Sequence, residues 1–155
     1  MLKITLLCVG KVKGKWLQAG TAEYKKRLSR FANLDIIEVA DQPDNIPLDR
    51  ALALEGEALA KRIPARGMKI ALELSGQMLD SVEMSQKLQQ WMDRSDGQIT
   101  FIIGGSRGID EQILKICDYH WCLSPLTFPH TLTRIIVLEQ LYRGFRLGKG
   151  EIYHK

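Results

Sequence analysis

Apolar residues along this chain fall into two alternating rhythms. Leu2–Val9 is a short aliphatic, β-branched run closed by Gly10, and it reads as a buried strand. From Trp16 to Phe31 the spacing changes. Trp16, Leu17, Tyr24, Leu28 and Phe31 recur with bases between them, which predicts an amphipathic helix. Leu34–Val39 predicts a second strand. The Asp41–Pro47 loop follows, and Pro47 suits the first turn of a helix showing Leu48, Leu52, Leu59 and Ile63. Met68–Leu74 predicts a third strand, stopped by Ser75-Gly76. Asp80 with Glu83 three residues on predicts a capped helix start, and Met84, Leu88, Trp91 and Met92 form the face behind it. Gln98–Ile103 predicts a fourth strand, Asp110–Cys117 a short helix, Trp121–Leu123 a fifth strand and Thr131–Leu147 a last long helix.

Strands alternating with helices predict an α/β class with a mostly parallel sheet flanked by helices. At 155 residues the chain fits one domain, 1–155, and is too short for a (β/α)₈ barrel of about 250 residues. Ligands of open parallel sheets bind beyond the carboxyl ends of the strands. Three such ends attract attention: Leu72–Gly76, Ile103–Gly108 and Leu123–His130.

Composition adds little until it is mapped along the chain. Twenty-two Lys+Arg against 18 Asp+Glu give a net charge of +4. Between Lys11 and Arg30, however, there are seven bases and one acid, Glu23; between Arg134 and Lys155 there are five bases and two acids; Asp41–Glu57 is acidic. Two basic ends around an acidic middle can steer a polyanion, although a solvated lysine face has the same composition. Three cysteines give no paired framework, and no apolar run is long enough to span a membrane. A reduced, cytoplasmic setting is the expectation.

Candidate chemistry is ambiguous at first. Gly104-Gly105-Ser106-Arg107-Gly108 matches the G-x-S-x-G of a serine hydrolase, with Asp118 and His130 following in order. Against that reading, the helix starts several residues after Ser106, whereas a nucleophile elbow leads straight into its helix. Dense glycine at a strand end also lets a ligand approach the backbone closely. Cys117 and Cys122 with His120 and His130 evoke zinc, but a second ligand pair at finger spacing is missing, so buried structural thiols and no metal are expected. In Ser124-Pro125-Leu126-Thr127-Phe128-Pro129-His130 two prolines preset a loop whose remaining amides and carbonyls can face a ligand. The terminal Tyr153-His154-Lys155 joins an aromatic ring, an imidazole and a cation, a mixture able to stack on a base and hold an anion.

Taken together, Phe101–Gly108, Leu123–Arg146 and Tyr153-His154-Lys155 closely resemble the ribosomal RNA large subunit methyltransferase H family of SPOUT methyltransferases. The strongest match is Leu123–His130, followed by Leu138-Glu139-Gln140-Leu141-Tyr142-Arg143; Ile4–Gly10, Trp16 and Glu23-Tyr24 also fit. The resemblance implies a C-terminal trefoil knot and a homodimer. It implies transfer of a methyl from S-adenosylmethionine to N3 of a pseudouridine in 23S rRNA, on assembled 70S ribosomes. Carried residue by residue, it implies that Leu72, Gly104, Leu123, Ser124, Pro125, Leu126, Thr127 and Phe128 line the cofactor pocket. His130, Tyr153, His154 and Lys155 are expected at the target base. Lys155 stands where the family often has Arg, keeping the charge without the planar fork. The alternatives at this stage are a non-catalytic rRNA-binding protein and a hydrolase using Ser106.

Overall fold

The computed structural model describes residues 1–153; His154 and Lys155 lie outside the described residues. Five strands, β1 (Leu2–Val9), β2 (Ala32–Val39), β3 (Met68–Met78), β4 (Gln98–Ile103) and β5 (Tyr119–Cys122), form one sheet in the order β2-β1-β4-β3-β5. Every pairing in it is parallel. The helices between them are α1 (Lys15–Leu28), α2 (Leu48–Ala60), α3 (Ser81–Arg94), α4 (Glu111–Lys115) and α5 (His130–Gly148).

The period of two along the strands sorts the core into two layers. Ile4, Leu6 and Cys8 of β1, with Ile99, Phe101 and Ile103 of β4, face α1, α3 and α5. Leu7, Val9 and Ile102 face the other way, against Leu59 of α2 and Ile113 of α4. A parallel sheet covered on both faces explains why its central strands read as continuous apolar runs. Both Leu7 and Ile102, one residue out of phase with Leu6 and Phe101, are fully buried.

The start of α3 follows its sequence signal. The Asp80 carboxylate accepts from the Glu83 amide at 2.7 Å, and the Glu83 carboxylate accepts from the Asp80 amide at 2.8 Å. Such a reciprocal cap contributes on the order of 1 kcal/mol. Pro47 stands one residue ahead of α2, at the N-cap, rather than inside its first turn.

One expected boundary is displaced with a consequence for function. Ser75-Gly76 does not end the third strand: β3 continues to Met78. Both Leu72 and Gln77 pair with Trp121 of β5, so residues 73–76 bulge out of the ladder. Gly76 makes this feasible, since a Cβ there would lie 2.6 Å from the His120 carbonyl carbon. The sheet resumes beyond the bulge because β5 supplies hydrogen-bonding partners that a local turn signal does not reveal.

Candidate active site

A cleft of about 710 Å³ opens over the carboxyl ends of β3 and β4, bounded by β5 and the first turn of α5. Leu72, the last β3 residue paired with β4 before the bulge, borders it together with Ile103 and Gly104 at the end of β4. One side is the 105–108 turn, in which the Gly108 amide donates to the Gly105 carbonyl at 3.2 Å. That turn folds back onto Gly104, where a Cβ would lie 2.4 Å from the Gly108 oxygen. Gly108 itself has φ +94°, the left-handed region that favours glycine.

The opposite side is the proline-bracketed loop after β5. Leu123, Ser124, Leu126, Thr127 and Phe128 line the cleft, with Pro129 and His130 at the corner. The loop is fixed from within. Ser124 Oγ accepts from the Leu126 amide at 3.0 Å, and the Cys122 thiol donates to the Ser124 carbonyl at 3.2 Å. Leu126 is left 69% exposed among the described residues, projecting an apolar edge. Pro125 is part of this loop without being a wall of the cleft. A second cavity of about 450 Å³ shares Trp121, Leu123 and Phe128 with the cleft and runs on toward Ser81 and Gln140.

His130 begins α5 at the mouth of the cleft, with Pro129 at the N-cap. Its ring reaches back to the end of β1: a Cβ on Gly10 would lie 3.2 Å from His130 Nε2. Burial, then the nearby Arg134 charge, lower its pKa below the ordinary 6.5, against the opposing pull of Asp41 and Glu55. The imidazole is therefore held neutral at physiological pH, which is the state able to accept a proton.

Several cleft residues lie in the strand-end segments that the sequence singles out, but nothing in the sequence marks them individually. Glu73 and Leu74 line it because the β3 bulge turns them outward. Glu73 Oε1 lies 2.8 Å from His120 Nδ1, and His120 Nε2 lies 2.9 Å from the Leu114 carbonyl, so this wall is braced between β3, β5 and α4. Arg107, also on the cleft, donates to the Ile46 carbonyl at 3.0 Å and to the Pro43 carbonyl at 2.5 Å, tying the acidic loop to the 105–108 turn. A bulge and two long-range tethers depend on strand neighbours that the linear pattern does not specify.

Tyr153 lies elsewhere. Its ring packs edge-on against Tyr142 at 5.1 Å between centroids, with the Arg143 and Arg146 guanidinium carbons 4.7 and 5.2 Å from its own centroid. Tyr142 is three turns down α5 from His130, about 18 Å at 1.5 Å per residue. Within one chain, then, Leu72, Gly104, Leu123, Ser124, Leu126, Thr127, Phe128 and His130 come together, and Tyr153 does not join them.

The two competing chemistries lose their geometry. Asp118 precedes β5 and its carboxylate accepts from the Lys69 amide at 2.8 Å, at the amino edge of the sheet, whereas Ser106 follows β4 at the carboxyl edge. A Ser106–His130–Asp118 relay is therefore not assembled. Cys117 and Cys122 flank β5 at its opposite ends, and among the described residues no group of His, Cys, Asp and Glu is arranged to hold a metal. Burial pushes the Cys117 thiol up to about 11 and that of Cys8 to about 12, as for inert core thiols. No described helix is long and apolar enough to cross a membrane.

Comparison with known proteins converges on the same picture. Residues 2–154 match the family described as "Predicted SPOUT methyltransferase". The ribosomal RNA large subunit methyltransferase H of Alkaliphilus oremlandii is 47% identical over 159 aligned positions, covering 99% of this chain and all of that protein. The protein of the same name from Clostridium kluyveri is also 47% identical, and that from Ruminiclostridium cellulolyticum 43%, with the same coverage. Among solved structures, a probable methylase family protein from Haemophilus influenzae Rd KW20 superposes with a TM-score of 0.57 over 98% of this chain and 70% of that one. At 14% identity that likeness speaks for the fold alone. A five-stranded parallel sheet with its cleft at the glycine-rich and proline-bracketed strand ends, and full-length relatives at this level of identity, place the chain in the ribosomal RNA large subunit methyltransferase H family of SPOUT methyltransferases.

Proposed function

We propose that this protein transfers a methyl group from S-adenosylmethionine to N3 of a pseudouridine in 23S rRNA, acting as a cytoplasmic homodimer on the assembled 70S ribosome. The observation that carries the reading is the cleft itself, where Leu72, Gly104 and the 123–128 loop meet beside a neutral histidine.

The residues present fit such a cofactor. The cleft has the volume of a small-molecule site. Its walls are apolar at Leu72, Ile103, Leu126 and Phe128, as a purine face requires, and the glycine-rich turn allows close approach to backbone polar atoms. Trp121, at its inner end, is 2% exposed, and its Nε1 has no acceptor among the described residues. When bound, S-adenosylmethionine supplies an already activated methyl group, so no metal is required.

The chain's own residues then have two tasks. The imide N3–H of pseudouridine has to lose its proton before or during methyl transfer, and His130, neutral and at the cleft mouth, is the candidate to take it. His154 is the other candidate base, with Lys155 stabilising the developing anion; both lie outside the described residues. Tyr153 packs on Tyr142, about 18 Å along α5 from His130, so in this reading it serves the cleft of a second copy rather than its own. The same reading carries the trefoil knot. Single-molecule stretching from the termini checks it, because a knotted chain extends to less than its full contour length.

Methyl transfer from tritiated S-adenosylmethionine to 70S ribosomes lacking the modification tests the function. Separated subunits and naked rRNA run alongside. Label confined to the large-subunit RNA of 70S particles is the expected result. Cofactor binding without label points to another RNA, and neither binding nor label leaves a non-catalytic RNA-binding protein.

A further inference from the structure

Trp16 is 66% exposed, while the other two tryptophans, Trp91 and Trp121, are 3% and 2% exposed. An indole in water at the surface of a domain with ample core is unusual, since burying an aromatic side chain stabilises by about 2 kcal/mol or more. The helix phase accounts for its direction but not its identity. Leu17 turns into the core at 9% exposure, so the preceding position must face solvent, and a lysine or glutamine would suit it. The indole rests along the chain, its Nε1 3.4 Å from where a Gly14 Cβ would lie, which leaves the ring flanking the loop rather than buried by it.

The surroundings are cationic. Lys11, Lys13 and Lys15 are all exposed on the same short segment, and none of the three forms an ion pair among the described residues. Two acids stand near the start of this segment: Asp41 beside Gly10, and Glu38, which feels the Lys11 charge but accepts its hydrogen bonds from the Val12 amide at 2.9 Å and the Arg134 guanidinium at 2.5 Å. The segment begins at Gly10, against which the His130 ring rests, and α1 starts at the carboxyl edge where the cleft opens. At full extension, at most about 20 Å of chain separates Gly10 from Trp16, a span of a few nucleotides.

We propose that Trp16 is a stacking platform for an unpaired RNA base flanking the target nucleotide, with Lys11, Lys13 and Lys15 holding the adjoining phosphates. An aromatic face beside exposed cations fits single-stranded RNA better than duplex, because a paired base offers no open π-face. The inference rests on the proposed function in taking RNA as the ligand and the cleft as the place of its target nucleotide.

Trp16 is its own reporter, being the solvent-exposed tryptophan. The full-length protein with S-adenosylmethionine is titrated with a single-stranded RNA oligonucleotide, and with the same sequence as a duplex, reading tryptophan emission; Trp16→Phe supplies the background of the buried pair. Quenching by the single strand and not by the duplex is expected. Trp16→Ala should weaken binding about tenfold, Trp16→Phe should keep most of it, and Lys13→Gln should lower the salt slope by about one. With 70S ribosomes as substrate, Trp16→Ala should raise KM and leave cofactor affinity unchanged. Unaltered RNA affinity in Trp16→Ala overturns the proposal, as does conversion of a dimer to monomers by that variant in sedimentation, which would make Trp16 a subunit contact. Quenching that persists while no RNA is methylated supports the platform and faults the proposed reaction instead.

Discussion

Arg134 reaches Glu38 from inside the protein: its guanidinium, 1% exposed, donates to Glu38 Oε2 at 2.5 Å and to the Gly10 carbonyl at 2.7 Å. One side chain thereby joins α5 to the carboxyl ends of β1 and β2, one turn below His130. Removing it strands a carboxylate and two carbonyls around a void. Arg134→Ala is expected to lose about 3 kcal/mol of stability in urea unfolding. Arg134→Ala combined with Glu38→Ala should lose less than the sum of the two single changes, because the carboxylate is no longer left unpaired.

The same pair gives an acid dependence. Burial alone would raise the Glu38 carboxyl, but the Val12 amide and Arg134 together outweigh it and hold its pKa below the ordinary carboxylate range. A lowered acid pKa means the unfolded chain binds the proton first. The contribution is therefore complete above the ordinary carboxylate pKa and lost as pH falls through the folded value. Thermal melts between pH 6 and pH 3 should show a steeper decline for the natural chain than for Glu38→Gln.

His130 sets a different window. Its folded pKa lies below 6.5, so the neutral ring's contribution is complete above 6.5 and is lost as pH falls through the folded value. If it is the proton acceptor, kcat has an acidic limb below 6.5 that is displaced downward. His130→Gln should lower kcat by about 10²–10⁴ while calorimetric affinity for S-adenosylmethionine changes little. Full turnover in His130→Ala with His154→Ala would remove histidine as the base.

Gly104→Ala probes the cleft. The added methyl would meet the Gly108 oxygen at 2.4 Å and Ile109 Cγ1 at 2.8 Å, so the 105–108 turn must move. A loss of about 1–3 kcal/mol in stability and at least tenfold in cofactor affinity is expected, read by melting and by calorimetry.

Tyr153 tests whether two chains share a site. Its ring packs on Tyr142 and two guanidinium groups at the far end of α5, so Tyr153→Phe should be nearly silent in stability and Tyr153→Ala should cost about 1 kcal/mol. If the ring serves the cleft of a second copy, mixing inactive His130→Ala with inactive Tyr153→Ala chains should restore part of the turnover. Mixed dimers as dead as their parents would refute that arrangement.

Much of this was legible in the linear pattern. The alternation of strand and helix, the cap at Asp80–Glu83 and the three loop segments that line the cleft all rest on local chemistry: side-chain period, hydrogen bonding within a few residues, and the backbone limits of glycine and proline. Cleft residues Leu72, Gly104, Leu123, Ser124, Leu126, Thr127 and Phe128 were reachable because segments at the carboxyl side of a parallel sheet converge whatever the order of the strands; the family resemblance named these positions and also Pro125, which is not a wall of the cleft.

Tertiary structure alone decided the rest. It carried β3 past Ser75-Gly76, because β5 offered Trp121 as a partner on both sides of the bulge, and so delivered Glu73 to the cleft and to His120. It buried Arg134 against β1 and β2, took Asp118 to the edge away from Ser106, and set Tyr153 against Tyr142 instead of His130. Each of these is a contact between residues distant in the chain, formed only once the strand order β2-β1-β4-β3-β5 exists. Local propensity fixes what a segment becomes; which segments then touch is settled by how the sheet orders its strands and buries both of its faces.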